Sequence, residues 1–569
     1  MSIVMREELL YTAKSVFDNF DGVCLIDISS EEEAICAKFT YQESPLTLYV
    51  FHPDNVYLRS ILVCVEDNVA DELKIPPHYM RYNDAKKLSS LCLLDKEQHI
   101  LSSYDLSGLM ELYLSQTVSL LSLAPRQKTH EYLKEFEFYW NSSCELIRGD
   151  FIEADVYLPK ENGASLLNCW YTEKDKHGKY ILLPDGTELN FCNAPKGSHS
   201  TAIYIPIEQP LGILPPQKNI PWNARDILNI VYNQSEDRIS SDTYGFLKKL
   251  EINSYQKVIA FSFSLPDSVA ISFAGIISFD SNEKKPFITK IQEDFKSFVP
   301  ILSTRMDMKH LYERVGQVPV DLPSVLLLGC GSVGSYLLPE LVNMGFTHIG
   351  VSDPDTFVSG NSLRHYLGPR SSGSKKAVQM QFFMEYENPL VSIDVVPDIL
   401  EQKENELAKT LEKYQIVIVA VGSTDIQRKL NYMFSKANSK AWHIFNWLDA
   451  EGKGSHVLAM RYSQKGCFDC LFRDKGEFTT KNKVTYADGT ERVIGNGCGG
   501  SFSPYGNNVL ARNTVLALSV LQAILDGSIT RNTIASIRNE FTSLVSSISM
   551  TPVIDEDFAE EGCDICGNI

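Results

Sequence analysis

The feature that most constrains the fold of this chain is a short apolar run followed at once by a glycine-rich loop. The apolar run is Ser324–Leu328, and the loop is Gly329-Cys330-Gly331-Ser332-Val333-Gly334. A helical stretch, Ser335–Asn343, and a second apolar run, His348–Ser352, come next. This order predicts a buried parallel strand, a tight turn, a helix and a second parallel strand, which is the beginning of a doubly wound α/β sheet.

The glycine loop predicts a phosphate-binding site. Glycines permit a tight turn and a close approach of the backbone to phosphate oxygens, and free N–H groups at a helix N-terminus favour an anion. Asp353 ends the second predicted strand, 19 residues after Gly334, where a carboxylate binds a ribose hydroxyl in such folds. A tight strand-to-helix turn without a ligand is the alternative, which the glycine motif alone does not exclude.

The charged residues beyond Asp353 favour ATP over a dinucleotide. Asn361-Ser362-Leu363-Arg364 and Gly373-Ser374-Lys375-Lys376 bring cations close to the predicted phosphate site. Arg364 offers a planar fork and Lys376 a point charge. These cations suit the charge that develops when ATP is split between its α and β phosphates, whereas hydride transfer to NAD requires no such set.

One further carboxylate completes the predicted nucleotide site. Gln415–Val421 is a predicted strand, and Gly422-Ser423-Thr424-Asp425 follows it. Asp425 is therefore expected at the carboxyl edge of the sheet, where ligands bind in open α/β folds. A carboxylate at that edge can hold the Mg²⁺ that accompanies ATP.

The run from Gly329 to Asp425 resembles the ThiF/MoeB/HesA superfamily, to which ubiquitin-activating enzymes belong. The resemblance implies a Rossmann-like domain that uses ATP and Mg²⁺ to adenylate the C-terminal glycine of a ubiquitin-like protein. It implies these roles: nucleotide binding by the loop glycines Gly329, Gly331 and Gly334, ribose binding by Asp353, phosphate contacts by Asn361, Arg364 and Lys376, and Mg²⁺ binding by Asp425.

Two features of the superfamily have no secure match in this sequence. Asn361-Ser362-Leu363-Arg364 stands where the family commonly has Asn-Leu-Gln-Arg, although the spacing is kept. The family often takes one more arginine from a partner subunit, for which Arg305 and Arg314 are the candidates.

Two C-x-x-C pairs predict a structural zinc site. Cys467-Phe468-Asp469-Cys470 and Cys563-Asp564-Ile565-Cys566 each offer two thiolates, and the two pairs complete a tetrahedral set for Zn²⁺. More than ninety residues separate the pairs, so the fold must bring them together. A redox-active pair is the alternative, but the flanking sequence is not thioredoxin-like. The superfamily resemblance also implies zinc at such paired motifs.

Cys498 is a candidate nucleophile. It lies between the C-x-x-C pairs in Gly495-Asn496-Gly497-Cys498-Gly499-Gly500, and a predicted helix, Asn507–Leu525, follows. Small neighbours give the thiol no apolar packing, although an unreactive loop cysteine is the alternative. The resemblance implies that Cys498 attacks the acyl adenylate to form a thioester.

Cys92 is the second candidate nucleophile. It lies in the apolar segment Leu91-Cys92-Leu93-Leu94, for which a core cysteine is the default interpretation. This segment and the amphipathic helix predicted over Leu106–Leu123 resemble the ubiquitin-conjugating fold, which implies a catalytic role for Cys92. The His-Pro-Asn that usually precedes the family's cysteine is missing, and Pro76-Pro77-His78 is its nearest counterpart.

Three domains are expected along the chain. They are a ubiquitin-conjugating-like α+β domain over residues 1–130, an α/β linker domain over 131–300 and a ThiF-type adenylation domain over 301–569. The first contains strand-like stretches at Gly22–Ile28, Ala37–Tyr41 and Thr47–Phe51. Only one glycine loop of the nucleotide-binding kind is present, so the paired adenylation domains of the superfamily imply a homodimer.

The whole layout resembles the fused activating–conjugating proteins of bacterial CBASS anti-phage operons, the CD-NTase-associated ligases. The resemblance implies that a thioester on Cys498 passes to Cys92. It also implies that the C-terminus of a CD-NTase is joined to amines on target proteins. A sulfur-carrier adenylyltransferase and a non-catalytic scaffold are the alternatives.

The overall charge excludes two classes of partner. The chain has 569 residues, with 53 Lys and Arg against 72 Asp and Glu and a formal net charge of −19. Nucleic acids and anionic membranes both require basic surfaces, so neither partner is expected. No apolar run approaches the roughly 18 residues that span a bilayer, and residues Met1–Phe20 show no signal-peptide core. A cytoplasmic location is therefore expected.

Overall fold

The computed structural model describes most of the chain, which divides into two compact units. One unit is Met1–Asp185 with Pro195–Leu311, and the other is Gly186–Ala194 with Tyr312–Ile569. The described residues are 11, 14–17, 20, 22–30, 34–41, 44–51, 61–66, 79–83, 88–93, 106–148, 152–159, 163–174, 177–187, 189, 197–216, 221–232, 238–264, 270–315, 321–475, 477–492, 494–495, 501–539 and 552–567.

The first unit begins with a six-stranded antiparallel sheet in the order β1-β2-β3-β4-β6-β5. Its strands are β1 (Val23–Ser30), β2 (Ala34–Tyr41), β3 (Ser44–Phe51), β4 (Ile61–Glu66), β5 (Tyr79–Asn83) and β6 (Leu88–Leu91). Ala37, Phe39 and Tyr41 are buried at every second position of β2, as expected for a strand with one face on a core. This confirms the predicted strands in the region.

Helix α1 (Leu106–Leu121) covers the buried face of this sheet. Met110 and Leu114, one turn apart, are fully buried in the same core as Phe39 and Leu48. The helix begins at the predicted residue and ends two residues before the predicted end. Helices α2 (Pro125–Lys134) and α3 (Phe136–Arg148) follow it, and α2 spans the predicted boundary at residue 130.

The middle of the chain forms a closed barrel of seven strands in the order β10-β12-β13-β15-β7-β9-β8, in which β8 also pairs with β10. The strands are β7 (Ile152–Val156), β8 (Ser165–Lys174), β9 (His177–Pro184), β10 (Ser198–Pro206), β12 (Gln256–Phe263), β13 (Ile271–Phe279) and β15 (Phe295–Arg305). The last strand therefore extends five residues past the predicted boundary at residue 300.

Alternate residues of the barrel strands belong to two different clusters. Ala202, Ala260 and Ala274 belong to the cluster in the barrel interior, where alanines leave room for larger neighbours such as Tyr204. Phe261 and Phe273 belong to the other cluster, which packs against helices on the outside. Those helices are α3, α4 (Ala224–Val231), α5 (Ser241–Lys249) and α6 (Phe287–Asp294); the short strands β11 (Glu251–Ile252) and β14 (Lys285–Pro286) pair with each other nearby.

The second unit is built on an eight-stranded mixed sheet in the order β18-β17-β16-β19-β20-β21-β26-β27. The first five strands are parallel and the last three are antiparallel to their neighbours. The strands are β16 (Val325–Leu328), β17 (His348–Ser352), β18 (Ser392–Val395), β19 (Ile416–Val419), β20 (Trp442–Leu448), β21 (Gly454–Met460), β26 (Thr533–Arg538) and β27 (Val553–Asp555).

Six longer helices are described from residue 308 onward. They are α7 (Met308–Arg314), α8 (Ser332–Asn343), α9 (Lys376–Glu387), α10 (Glu404–Leu411), α11 (Thr424–Lys436) and α12 (Asn507–Leu525). Short two-stranded ladders join β22 (Arg473–Asp474) to β23 (Glu477–Phe478) and β24 (Ile494–Gly495) to β25 (Ser501–Phe502). The strand–loop–helix–strand order predicted from the glycine motif is confirmed, as is the mixed α/β fold class.

The order of the parallel strands fixes where a ligand is expected. The chain runs outward from β16 through β17 to β18 and then returns to β19 on the other side of β16. The sheet therefore has a topological switch point between β16 and β19, and open α/β sheets bind ligands in the crevice at the carboxyl ends of such strands.

One helix in the described part of the chain is long and apolar enough to cross a membrane, contrary to the sequence-based expectation. Helix α12 has 19 residues, and it fits this description by length and composition alone. Its Leu516, Val520 and Leu521 are buried in the same core as α8 and β21. These three residues of α12 therefore pack in the core of the second unit.

Candidate functional site

The glycine loop packs too closely on the sheet to carry side chains at two positions. Gly329 has φ +92°, and a Cβ there would lie 2.7 Å from the carbonyl oxygen of Ala420. A Cβ on Gly334 would lie 1.8 Å from the carbonyl oxygen of Gly329. A Cβ on Gly331 would meet no protein atom, and Gly331 lines a cavity instead. The loop therefore packs tightly against the sheet on one side, whereas its Gly331 faces the cavity on the other.

The cavity lies at the switch point and has a volume of about 210 Å³. The loops after β16, β17 and β19 contribute Gly329, Asp353 and Gly422 to it, and Lys376 comes from the start of α9. An apolar wall completes the cavity, formed by Ile399, Leu400, Val421, Ile426 and Leu430. A glycine loop, a carboxylate, an ammonium and an apolar wall provide partners for phosphates, a sugar and a base.

Asp353 is held in a fixed orientation by the backbone. Its Oδ2 accepts a hydrogen bond of 2.7 Å from the Cys330 N–H, and its Oδ1 accepts one of 2.8 Å from the Asp355 N–H. Burial raises the pKa of Asp353, although Lys376 and these two N–H groups oppose the rise. Each carboxylate oxygen has a second lone pair that remains suited to a ribose hydroxyl.

Lys376 is bound to a residue to which the sequence analysis gave no role. Its Nζ lies 2.7 Å from Oδ2 of Asp355, and its side chain is 11% exposed against 67% for Asp355. An anionic phosphate in the cavity would compete with an exposed carboxylate for this ammonium. Asp355 therefore positions the Lys376 ammonium at the cavity.

Asn361 and Arg364 lie on one short 3-10 segment, Ser359–Arg364. The Arg364 Nε and Nη2 donate to Oδ1 of Asn361 at 3.2 and 2.9 Å, so the two predicted phosphate ligands are joined to each other. The guanidinium carbon of Arg364 also lies 5.8 Å from the centre of the Tyr505 ring, close to the start of α12. Neither Asn361 nor Arg364 lines the cavity described above.

His365 is a buried residue of this site that the sequence analysis missed. It follows Arg364 directly, and its Nε2 lies 2.7 Å from the carbonyl oxygen of Cys330 in the glycine loop. Burial lowers the pKa of His365 to about 4, so the ring is neutral near pH 7. Its position next to the Arg364 motif was the only signal in the sequence that pointed to it.

Asp425 lies in the first turn of α11, just beyond β19, as the sequence predicted. Its side chain is exposed, and Gly422 and Ile426 on either side of it line the cavity although Asp425 does not. The carboxylate thus stands at the rim of the cavity. A carboxylate there suits a hydrated Mg²⁺, because that ion keeps several waters and takes one or two protein ligands.

Arg305 and Arg314, the two candidates for contacting a partner subunit's nucleotide site, differ in burial and in their hydrogen bonds. Arg305 is 7% exposed, its Nη2 donates to Asp307 Oδ1 at 2.8 Å, and its Nη1 donates to the Ala270 carbonyl at 2.7 Å. Arg314 is exposed in the last turn of α7. These contacts hold Arg305 in the end of the barrel, so Arg314 is the better candidate.

The fold brings the two C-x-x-C pairs together. The Sγ atoms of all four cysteines lie within 4.8 Å of one another, and all four residues are buried. The Sγ–Sγ distances are 4.0 Å for Cys467–Cys470, 3.7 Å for Cys467–Cys563 and 3.5 Å for Cys470–Cys566. A tetrahedral ion with Zn–S bonds of about 2.3 Å requires Sγ–Sγ distances of about 3.8 Å. The thiols therefore fit Zn²⁺.

The surroundings of these thiols favour a cation. Contacts with Cys470 and the second pair, together with burial, raise the pKa of Cys467 well above its usual value. Four buried thiolates would repel one another without a positive charge between them. The Asn431 Nδ2 donates toward the Cys467 Sγ at 3.7 Å, which supports a fixed thiolate geometry. The convergence of all four thiols is less typical of a redox-active pair.

Cys92 follows the last residue of β6 and is exposed, although its neighbour Leu91 is 2% exposed. The default interpretation of Cys92 as a core cysteine is therefore wrong. Cys64 on β4 shows the opposite behaviour, because burial raises its pKa to about 12. The segment Pro76-Pro77-His78, the nearest counterpart of the missing family motif, lies outside the described residues.

Cys498 also lies outside the described residues, but the chain on both sides of it is well anchored. Ile494 and Gly495 pair with Phe502 and Ser501. The Ser503 Oγ accepts a hydrogen bond of 2.6 Å from the Glu451 N–H, and the Arg492 Nε donates to Glu451 at 2.9 Å.

A buried polar cluster holds the preceding segment. Asp449 accepts hydrogen bonds from the Thr485 hydroxyl at 2.8 Å and the Tyr486 N–H at 2.7 Å. Its Oδ2 also lies 2.9 Å from Nε2 of His456, whose Nδ1 lies 2.8 Å from the Ser536 Oγ. Burial alone would raise the pKa of Asp449, but these hydrogen bonds, from His456 first, lower it. Through these hydrogen bonds the ionised Asp449 carboxylate connects residues 485–486 to the loop that follows β20.

The comparison with protein families assigns the C-terminal region. The family model described as ThiF family matches residues 308–551. This region includes the glycine loop, Asp353, Arg364, Lys376 and Asp425, and it bears out the resemblance drawn from the motifs.

The chain has homologues named ATP-dependent ubiquitin transferase-like protein Cap2. It is 22% identical over 405 residues to that of Escherichia coli (strain TW11681), which covers 65% of this chain and 63% of the relative. It is 24% identical over 219 residues to that of Vibrio cholerae serotype O1 (strain ATCC 39315 / El Tor Inaba N16961), which covers 36% of each. The chain thus spans less than two thirds of the length of these relatives.

Among solved structures, the chain is similar to the Microcin C7 biosynthetic enzyme MccB in complex with N-formylated MccA. The two are 15% identical with a TM-score of 0.32, and the match covers 43% of this chain and 67% of that chain. The structure titled E. coli MccB + ATP gives 15% identity and a TM-score of 0.31 over 43% of this chain and 67% of that chain.

Proposed function

We propose that this protein adenylates the C-terminal glycine of a protein substrate with ATP and then conjugates that substrate to target amines. One observation carries the first step: the glycine loop, Asp353 and Lys376 line a single cavity at the switch point of the ThiF-type sheet. The loop and Lys376 would bind phosphates and Asp353 the ribose. Mg²⁺, held with the help of Asp425, would neutralise phosphate charge.

The cations explain how the site would promote adenylation. A substrate carboxylate attacks the α phosphorus, the bond to the bridging oxygen breaks, and pyrophosphate leaves with the added negative charge. Arg364 and Lys376 would stabilise that charge as it develops. The bond between Lys376 and Asp355 supports this role, because it holds the ammonium beside the glycine loop before the nucleotide binds.

The two candidate nucleophiles would complete the reaction. The Cys498 thiolate would attack the acyl adenylate, release AMP and retain the acyl group as a thioester. Exchange with the Cys92 thiol would move the acyl group, and a target amine would then form an amide and release the Cys92 thiol. The exposure of Cys92 supports its role, since an acceptor thiol must be accessible.

The same proposal includes the partners and the setting. The protein substrate is the C-terminus of a CD-NTase, the acceptors are amines on target proteins, and the context is CBASS anti-phage defence in the cytoplasm. The protein acts as a homodimer with Zn²⁺ held by Cys467, Cys470, Cys563 and Cys566. The Cap2 homologues support this assignment, since their name describes an ATP-dependent ubiquitin transferase-like protein. The domains over residues 1–130, 131–300 and 301–569 would conjugate, link and adenylate.

ATP–pyrophosphate exchange tests the adenylation step directly. We expect the full-length protein to exchange radiolabelled pyrophosphate into ATP when the CD-NTase is present, and not when the CD-NTase lacks its C-terminal glycine. Arg364→Ala and Asp425→Ala should each reduce the rate by on the order of 100-fold. Arg370→Ala is the matched control, because Arg370 is exposed on the neighbouring 3-10 segment Pro369–Ser371.

The outcomes separate the alternatives. Normal exchange by both Arg364→Ala and Asp425→Ala would refute the assignment of the site. Exchange driven by a sulfur-carrier protein but not by a CD-NTase would favour the sulfur-carrier adenylyltransferase. A complete lack of exchange and of ATP binding would favour the non-catalytic scaffold.

A further inference from the structure

A second cavity lies at the amino ends of the parallel strands, on the sheet edge opposite to the nucleotide site. Its volume is about 510 Å³. The end of α10, the segment between α11 and β20, and the residues just before β19 and just after β21 form its walls. None of its lining residues belongs to the nucleotide cavity.

Arg461 in this cavity carries an unused hydrogen-bond donor. Its guanidinium carbon lies over the Trp442 ring at 4.3 Å from the ring centre, a distance typical of a cation–π contact. Its Nε is buried without a hydrogen-bond partner, and the guanidinium makes no ion pair with any residue that the structure describes. A buried unsatisfied donor costs about 1–3 kcal/mol, and such groups in folded proteins usually have a missing partner.

A second unsatisfied polar group lines the same cavity. Ser439 is only 9% exposed, and its Oγ has no hydrogen-bond partner among the described residues. It follows Asn438, whose φ of +49° turns the chain at the end of α11. The orphaned hydroxyl and the orphaned guanidinium N–H both indicate a ligand with acceptor oxygens.

The charge and the apolar wall of the cavity define the class of that ligand. Arg461 and Lys440 contribute two positive charges and Glu412 one negative charge, which leaves a surplus of one. A monovalent carboxylate balances this surplus, whereas a phosphate dianion exceeds it. The buried Leu411 and Tyr414 form an apolar wall beside these groups.

We propose that this cavity binds an organic carboxylate with an apolar body. The planar fork of Arg461 matches the two carboxylate oxygens, and the Ser439 hydroxyl donates a further hydrogen bond. The apolar body contacts Leu411 and Tyr414. This site is separate from the proposed adenylation and does not depend on it.

Calorimetric titration of the full-length protein tests the proposal, with 4-phenylbutyrate as the probe and the neutral 4-phenylbutanamide as its matched analogue. We expect saturable one-to-one binding of the acid and at least tenfold weaker binding of the amide. Arg461→Met keeps an unbranched stem over Trp442 but removes the fork, and it should weaken binding of the acid at least tenfold. Arg531→Met is the control, since Arg531 is exposed and pairs with Glu556 and Asp557 instead.

Further measurements keep the test decisive. Saturating ATP should leave the affinity for the acid unchanged, because the two cavities share no residue. If Arg461→Met does not fold, the exposed Lys440→Glu provides the test and should weaken binding at least threefold. Equal binding of acid and amide, competition with ATP, or normal affinity in the folded variants would overturn the proposal.

Discussion

His365 Nε2 lies 2.7 Å from the carbonyl oxygen of Cys330, which ties the residue after Arg364 to the middle of the glycine loop. The Leu367 N–H donates to His365 Nδ1 at 3.0 Å, so Nε2 carries the proton and donates to Cys330. The backbone N–H of Cys330 itself donates to Oδ2 of Asp353. The glycine loop, Asp353 and the 3-10 segment that carries Arg364 are therefore joined at Cys330.

Loss of this hydrogen bond should impair adenylation more than it impairs folding. In His365→Ala the 3-10 segment that carries Arg364 loses its tie to the glycine loop, and we expect kcat for pyrophosphate exchange to fall about 10- to 100-fold. His365→Gln can still donate to the Cys330 carbonyl and should recover most of that loss. Equal defects in the two variants, or a change in KM for ATP alone, would contradict this positioning role.

The stability of the second unit should depend on pH through two buried histidines. Burial lowers the pKa of His365 to about 4 and that of His443 to about 3, below the usual value of about 6.5. Between about pH 6.5 and 4 only the unfolded chain takes up these protons. The free energy of unfolding should therefore be undiminished above pH 6.5 and should fall as the pH is lowered through that window.

Denaturant unfolding at several pH values measures this dependence. The slope between pH 6.5 and 4 should be shallower in His365→Gln and in His443→Phe, which keeps a ring between Phe434 and Tyr462. Lys285→Met is a control outside this unit. Slopes equal to that of the unmodified protein in both histidine variants would show that other groups control the acid response.

Purified protein should contain one zinc ion per chain, because four thiolates form one tetrahedral site. Cys467→Ser and Cys563→Ser should each release the metal and lower the unfolding temperature more than they change the affinity for ATP. Cys144→Ser is the matched control, since Cys144 is a half-buried thiol outside the cluster. Elemental analysis that finds no zinc in protein prepared without chelator would refute the site.

The two nucleophiles should act in a fixed order. Cys498→Ala should form the acyl adenylate but no thioester, because the thiol proposed to attack the adenylate is removed. Cys92→Ala should stop at the Cys498 thioester, detected as a reducible adduct on a gel, and yield no conjugate. Cys24→Ala controls for an exposed thiol elsewhere in the same sheet. Normal conjugation by Cys92→Ala would exclude Cys92 from the relay.

The protein should sediment as a homodimer of about twice its 64.0 kDa mass at micromolar concentration. Helix α9 exposes an apolar stripe that supports association, because Val378, Phe382 and Tyr386 are 51, 45 and 58% exposed at four-residue spacing. Phe382→Glu should weaken the dimer at least tenfold, whereas Val515→Glu, at a similarly exposed position on α12, should not. A monomer at all concentrations would contradict this prediction.

The parts of the fold that sequence reasoning predicted are those with local signals. The helix over Asn507–Leu525 begins and ends where its composition indicated, and β16 lies within the apolar run before the glycine loop. The cysteine pairs were recognised because metal ligands require particular residues at particular spacings, whichever path the chain takes between them.

The parts that escaped prediction depend on contacts between distant residues. The barrel is closed by pairs such as Leu302 with Glu153, which no local pattern encodes. The roles of His365 and Asp355 appear only when the glycine loop, the 3-10 segment and α9 meet, since each is defined by a partner at least twenty residues away. The exposure of Cys92 likewise follows from where β6 ends.

The closed barrel has a consequence for how the middle of the chain can recognise other proteins. Each of its seven strands pairs with a neighbour on both sides, so no barrel strand among the described residues is an edge strand that lies open along its whole length to an incoming strand. An extended tail that binds by strand addition would have to join a sheet with a free border, such as that formed by β18. Recognition by the barrel would instead use side chains and loops, so insertions in the loops could change its specificity while the strand pairs that close the barrel stay the same.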